Sequence, residues 1–187
     1  MTDQLTPEQL DAVMQEADLI KSPEEVLAAL DRLAEEITER LAGKMPVVYT
    51  VMNGGLLMAG QLLPKLNFPL EVGYMHATRY RGETTGGPEL QWQAPPSVPM
   101  ADRHVLILDD IFDEGHTLAE VVEACRQQGA KEVLTAVLCT KDHDRKTDAL
   151  TVDFSGMNVE DRFLFGCGMD YRGYWRNTLG IYAVKGL

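Results

Sequence analysis

Val105-Leu106-Ile107-Leu108-Asp109-Asp110-Ile111-Phe112-Asp113-Glu114-Gly115-His116-Thr117 passes from an unbroken apolar run into paired carboxylates, a third carboxylate and a short polar loop. The apolar run reads as a strand buried on both faces, as in parallel sheets, and ligands of open α/β sheets bind outside the carboxyl ends of such strands. Asp109 and Asp110 therefore stand at the mouth of a site, where two carboxylates accept hydrogen bonds from vicinal hydroxyls or hold a hydrated Mg²⁺. Asp113 to Thr117 offers successive backbone N–H groups, a flexible Gly115, the Thr117 hydroxyl and the positive end of the following helix, which together make an anion cradle. This layout suits a ribose 5-phosphate. A strand ending in Asp-Asp is also found as a plain metal-binding edge, but the chain has neither G-x-x-x-x-G-K-[ST] nor G-x-G-x-x-G, so the usual nucleotide loops are missing.

Around this segment, strand and helix patterns alternate. Thr6-Pro7-Glu8-Gln9 and Ser22-Pro23-Glu24-Glu25 are capping boxes with Pro at the first helical position, which predicts two helices, the second ending at Gly43. Val47 to Met52 is β-rich and is followed by Asn53-Gly54-Gly55 and an apolar helix that stops near Pro64. Leu70 to Tyr80 reads as a strand, and Arg81 to Ala101 as a long Gly-, Pro- and Gln-rich loop of the kind that serves as a mobile lid. A helix over Leu118 to Gln128, a buried strand over Glu132 to Cys139, and short β runs at Phe163 to Cys167 and Ile181 to Val184 complete the pattern. The expected architecture is α/β, a mainly parallel twisted sheet flanked by helices.

With 187 residues the chain suits a single domain. The formal net charge of −12 argues against a nucleic-acid partner, since such binding depends on clustered Lys and Arg. More than half of that charge falls in residues 1 to 45, where eleven acids face four bases, the pattern of solvated helical faces. No run of eighteen apolar residues spans a bilayer, and Met1-Thr2-Asp3-Gln4 does not resemble a secretory signal. Cys125, Cys139 and Cys167 are odd in number and set in apolar stretches, so buried thiols in a reducing, cytoplasmic compartment are expected.

The segment from Val105 to Thr117 resembles the phosphoribosyl pyrophosphate (PRPP) signature of type I phosphoribosyltransferases, and from about residue 46 onward the order of segments is similar to the 6-oxopurine, or hypoxanthine-guanine, branch of that family. The resemblance implies a type I phosphoribosyltransferase-like fold with a small base-binding hood. It divides the single domain into acidic N-terminal helices (1–45), a PRPP-binding core with a lid at about 80–101 (46–150) and a base-binding segment (151–187). It further implies purine salvage: Mg²⁺-dependent transfer of 5-phosphoribosyl from PRPP to hypoxanthine or guanine, with release of pyrophosphate, by a homodimer or homotetramer. A phosphoribosyltransferase for xanthine or another base, and a PRPP-sensing regulatory protein, are the alternatives.

Residue by residue, the resemblance assigns PRPP to Asp109, Asp110, Asp113, Glu114, Gly115, His116 and Thr117, with Asp113 as the base near N7 of the purine. Met52-Asn53-Gly54-Gly55 resembles the pyrophosphate loop, in which a cis peptide joins Met52 to Asn53, and Tyr80 and Arg176 join it on the leaving group. Lys141 is placed by the purine 6-oxo group, Phe163 against the ring face, and Leu164, Met169 and Asp170 along its edge. Asp109, Asp110 and Asp170 are the implied metal ligands. Three residues depart from the family pattern: Asn53 where Lys or Arg is common, Arg79 beside Tyr80, and Glu114 where a small hydroxyl residue is usual.

Overall fold

Val47–Val51, all five residues buried, form β2 at the centre of a six-stranded sheet. The computed structural model describes residues 5–80 and 89–187, with the backbone alone for residues 79, 80 and 89. Parallel to β2 run β3 (Glu71–Tyr80) on one side and, on the other, β5 (His104–Phe112), β6 (Glu132–Asp142) and β7 (Phe154–Glu160). The order β3-β2-β5 reverses the direction of chain progress between β2 and β5, and such a switch point opens a crevice at the strand ends. The loops after β2 and β5 share that crevice.

Alternation along β5 fills both faces. Leu106 and Leu108 join Val48 in one apolar cluster with α2 (Pro23–Leu41) and α3 (Leu56–Leu62), while Val105 and Ile107 join Val47 and Tyr49 in another with α4 (His116–Gln127). Both expected capping boxes are present, at Thr6 with Gln9 ahead of α1 (Pro7–Glu16) and at Ser22 with Glu25 ahead of α2. The three cysteines are buried and free, and among the described residues no helix is long and apolar enough to cross a membrane.

The long loop expected over residues 81–101 is instead partly strand. Glu89–Ala94 forms β4, antiparallel to β3, because Leu90 and Trp92 alternate with polar residues and pack on the α4-side cluster. The expected lid contacts of Tyr80 and Arg79 lie outside the described side chains, as do residues 81–88.

Two strands escape the sequence patterns. β7 is interrupted by Gly156, whose missing Cβ would lie 2.7 Å from the Leu138 carbonyl oxygen, so the strand packs closely only as glycine. β1 (Asp18–Lys21) is a four-residue link between helices that becomes a strand by pairing with β9 (Ile181–Ala183), which also pairs with β8 (Leu164–Phe165). This three-stranded antiparallel sheet is the hood, tied by Arg162, which donates to Asp18 at 2.7 Å and to the Val184 carbonyl at 3.0 Å.

Candidate active site

At the end of β5 the chain turns into α4 through Gly115, whose φ of +80° suits glycine and whose Cβ would lie 2.2 Å from the Phe112 ring. Asp109, Asp113, Glu114, Gly115, His116 and Thr117 line a cavity of about 530 Å³ at the helix N-terminus. The first N–H groups of a helix and its dipole favour an anion there. Glu114 lines this cavity, its carboxylate 4.0 Å from His116 Nε2, and its carbonyl accepts the N–H of Thr147 at 2.8 Å.

Asp110 is buried and Asp109 half-buried, and the Asp110 N–H donates to Asp109 Oδ1 at 3.0 Å. Burial pushes the Asp109 carboxyl well up, and the neighbouring charge of Asp110 pushes it further. Burial also raises Asp110, with the Asp109 hydrogen bond and the Arg176 charge pulling against it. The two adjacent carboxyl groups together present hard oxygen donors of the kind a divalent cation takes.

A second cavity of about 270 Å³ adjoins the first, sharing Ile111 and Asp113, and is lined further by Asp110, Lys141, Phe163, Leu164, Met169 and Asp170. All the residues expected to meet the purine come together here. Phe163 is 45% exposed, its ring edge-on to Tyr171, so it is a free face in the site rather than core. Lys141 Nζ lies 2.8 Å from Asp113 Oδ2 and 3.7 Å from Asp161. His143 Nε2 lies 2.7 Å from Asp113 Oδ1. Desolvation pushes the Asp113 carboxyl up, but the hydrogen bonds from Lys141 and His143 outweigh it and hold the group below its ordinary range. His143 is a site residue the sequence reading missed, and Asp161, within the base-binding segment, was given no role. The signal for His143 was Lys141-Asp142-His143-Asp144-Arg145, a charged run at the carboxyl end of a parallel strand.

The Met52–Asn53 peptide is cis, as the resemblance implies. One detail of the loop differs from expectation: the Gly55 N–H donates to the Val51 carbonyl at 2.9 Å and is not free for pyrophosphate, because it closes the turn into α3. Arg176 is likewise engaged. It donates to the Gly168 carbonyl at 2.6 Å and pairs with Asp170, whose other oxygen accepts the Gly173 N–H at 2.6 Å. Trp175, beside it, donates its indole N–H to the Leu10 carbonyl at 3.0 Å, so α1 braces this part of the site.

A sheet switch point with a polar cavity at a helix N-terminus on one loop and an exposed aromatic ring on another defines a class. The chain belongs to the phosphoribosyl transferase domain family, whose pattern matches residues 16–172. It is 31% identical over 164 residues to the hypoxanthine-guanine phosphoribosyltransferase of Bacillus subtilis (strain 168), covering 88% of this chain and 91% of that one. It is 28% identical over 167 residues to the hypoxanthine-guanine-xanthine phosphoribosyltransferase of Tritrichomonas foetus, covering 89% and 91%. Among solved structures it resembles a hypoxanthine phosphoribosyltransferase from Staphylococcus aureus with a TM-score of 0.86 at 23% identity, covering 93% of this chain and 95% of that one. It also resembles a hypoxanthine-guanine-xanthine phosphoribosyltransferase with a TM-score of 0.83 at 26% identity, covering 92% and 99%.

Proposed function

We propose that this protein transfers the 5-phosphoribosyl group of PRPP to N9 of hypoxanthine or guanine and releases pyrophosphate. The observation that carries this reading is the pair of adjoining cavities that meet at Ile111 and Asp113, one an anion cradle and the other a slot between Phe163 and Lys141. In this reading the backbone N–H groups from Glu114 to Thr117 bind the 5′-phosphate, and Asp109 and Asp110 orient the ribose hydroxyls. Phe163 stacks on the purine, Leu164 and Met169 border its edge, and Lys141 donates to the 6-oxo group. Asp113 accepts a proton from N7 as N9 becomes nucleophilic toward an oxocarbenium-like ribose.

The adjacent oxygens of the Asp109 and Asp110 carboxyl groups fit Mg²⁺, and Asp170 fits less well because Arg176 and the Gly173 N–H already engage its oxygens. When bound, Mg²⁺ supplies charge neutralisation for the departing pyrophosphate. Asn53, Gly54, Tyr80 and Arg176 are the groups assigned to that leaving group. We further place the protein in the cytoplasm, a reading supported by its three buried free thiols, and as a homodimer or homotetramer. Val72 and Tyr74, exposed on one face of β3, support self-association.

The test is an assay of PRPP and Mg²⁺ with hypoxanthine, guanine, xanthine, adenine and uracil in turn. Nucleotide formation from hypoxanthine or guanine, and none from adenine or uracil, is expected. Turnover confined to uracil or adenine would overturn the assignment of the base.

A further inference from the structure

We infer that His143 is a positioning residue that holds the Asp113 carboxylate in one orientation while Lys141 turns to the base, a role that rests on the function proposed above. The imidazole is buried, its side chain 4% exposed, so both ring nitrogens need partners. Nδ1 lies 3.1 Å from the backbone N of Arg145, which donates to it. A nitrogen that accepts carries no proton, so in the neutral ring the proton sits on Nε2, 2.7 Å from Asp113 Oδ1. Backbone geometry thus fixes the tautomer that donates to Asp113.

The segment bearing His143 is itself held. Lys146 Nζ donates to the carbonyls of Lys141 and, at 3.0 Å, of His143. The Arg145 guanidinium donates both nitrogens to Asp161, at 2.8 and 3.0 Å.

This arrangement resolves a conflict in the site. Lys141 donates to Asp113 Oδ2 yet is the group assigned to the purine oxygen. If Lys141 were the sole partner, its engagement with the base would leave the carboxylate free to rotate. With Oδ1 pinned by His143, a lone pair of Asp113 stays aimed at the cavity. There the N7–H bond breaks and an O–H bond forms on Asp113, the electron pair returns to the ring, and the Nε2–H bond of His143 stays intact. The charged groups around Asp113 are Lys141, Arg145, Asp161 and its neighbour Glu114.

The test compares the wild type with His143→Ala and His143→Gln, in which the glutamine amide can present an N–H near the Nε2 position. In His143→Ala, kcat with hypoxanthine should fall about ten- to a hundredfold, as for losing a hydrogen bond to a charged group. The PRPP KM should stay within about twofold, since the loss falls on the chemical step. The acid limb of kcat/KM should move to higher pH, because the carboxylate has lost a donor, and His143→Gln should recover most of the rate and the limb. Nitrogen NMR of the wild type should report a neutral Nε2–H ring. An unshifted acid limb with unchanged kcat in folded His143→Ala, a glutamine variant no better than alanine, or an Nδ1–H ring would each overturn the inference alone. Absence of transfer in the wild type itself would overturn the transferase reading and the inference together.

Discussion

Gly168 stands so close to Gly54 that a Cβ on it would lie 2.1 Å from the Gly54 carbonyl oxygen. The loop after β2 and the segment after β8 therefore touch backbone to backbone, and Asp110 completes the contact, 3.2 Å from the same imagined Cβ. Gly168 also has a φ of +107°, whereas Gly173, at +90°, has open space around it. Gly173→Ala should cost only the strained backbone, about 1–2 kcal/mol. Gly168→Ala should cost more and also lower kcat/KM for both substrates. Thermal melting and steady-state kinetics of the two variants check this, and equal losses would deny the contact any special weight.

Asp113→Asn should lower kcat by about 10²–10⁴ while PRPP binding persists, the range typical of losing a general base. Because Lys141 and His143 hold the Asp113 carboxyl below its ordinary range, the wild-type acid limb of kcat/KM should lie below that range too. The stability this group contributes should be present above the ordinary carboxylate range and lost as pH falls through the depressed value. A pH–rate profile with isothermal binding of PRPP reads both, and near-normal turnover in the variant assigns the proton acceptor elsewhere.

Lys141→Gln should weaken selection for 6-oxopurines over adenine more than it weakens PRPP binding, since a site built around a specific hydrogen bond discriminates by that bond. It also removes one donor from Asp113. The ratio of kcat/KM values for hypoxanthine and adenine is the measurement. A collapse of PRPP affinity with base preference intact would move Lys141 to the phosphate side.

Arg176→Ala should raise the PRPP KM about ten- to a hundredfold, the worth of a charge-assisted phosphate contact. Adding Asn53→Lys should restore part of that loss by supplying charge at the neutral position of the loop. Because Arg176 also holds Asp170 and the Gly168 carbonyl, the purine KM should rise as well. Unchanged PRPP and pyrophosphate kinetics would confine Arg176 to bracing the base segment.

What the sequence disclosed followed from how local its causes were. The buried strand that carries Asp109 and Asp110, which runs on through Ile111 to Phe112, and both capping boxes depend on neighbouring residues, and the structure bears them out. β1 depends on a partner at the far end of the chain, so no local pattern announced it. β4 did carry a signal, the alternation of Leu90 and Trp92, hidden among loop-forming residues. His143 sits in a charged run with no motif of its own, and only the meeting of the loops after β5 and β6 brings it against Asp113.

The hood joins β1 to β9, which is synthesised only after every strand of the central sheet. On the ribosome β1 must therefore wait, unpaired, while the whole central sheet emerges ahead of its partner. Such non-local pairing is slow to form, because the chain between the ends must be ordered first. The cavity wall made by Phe163, Leu164 and Met169 is then completed last, on a sheet already in place, after the loop that leads from β5 into α4 has formed.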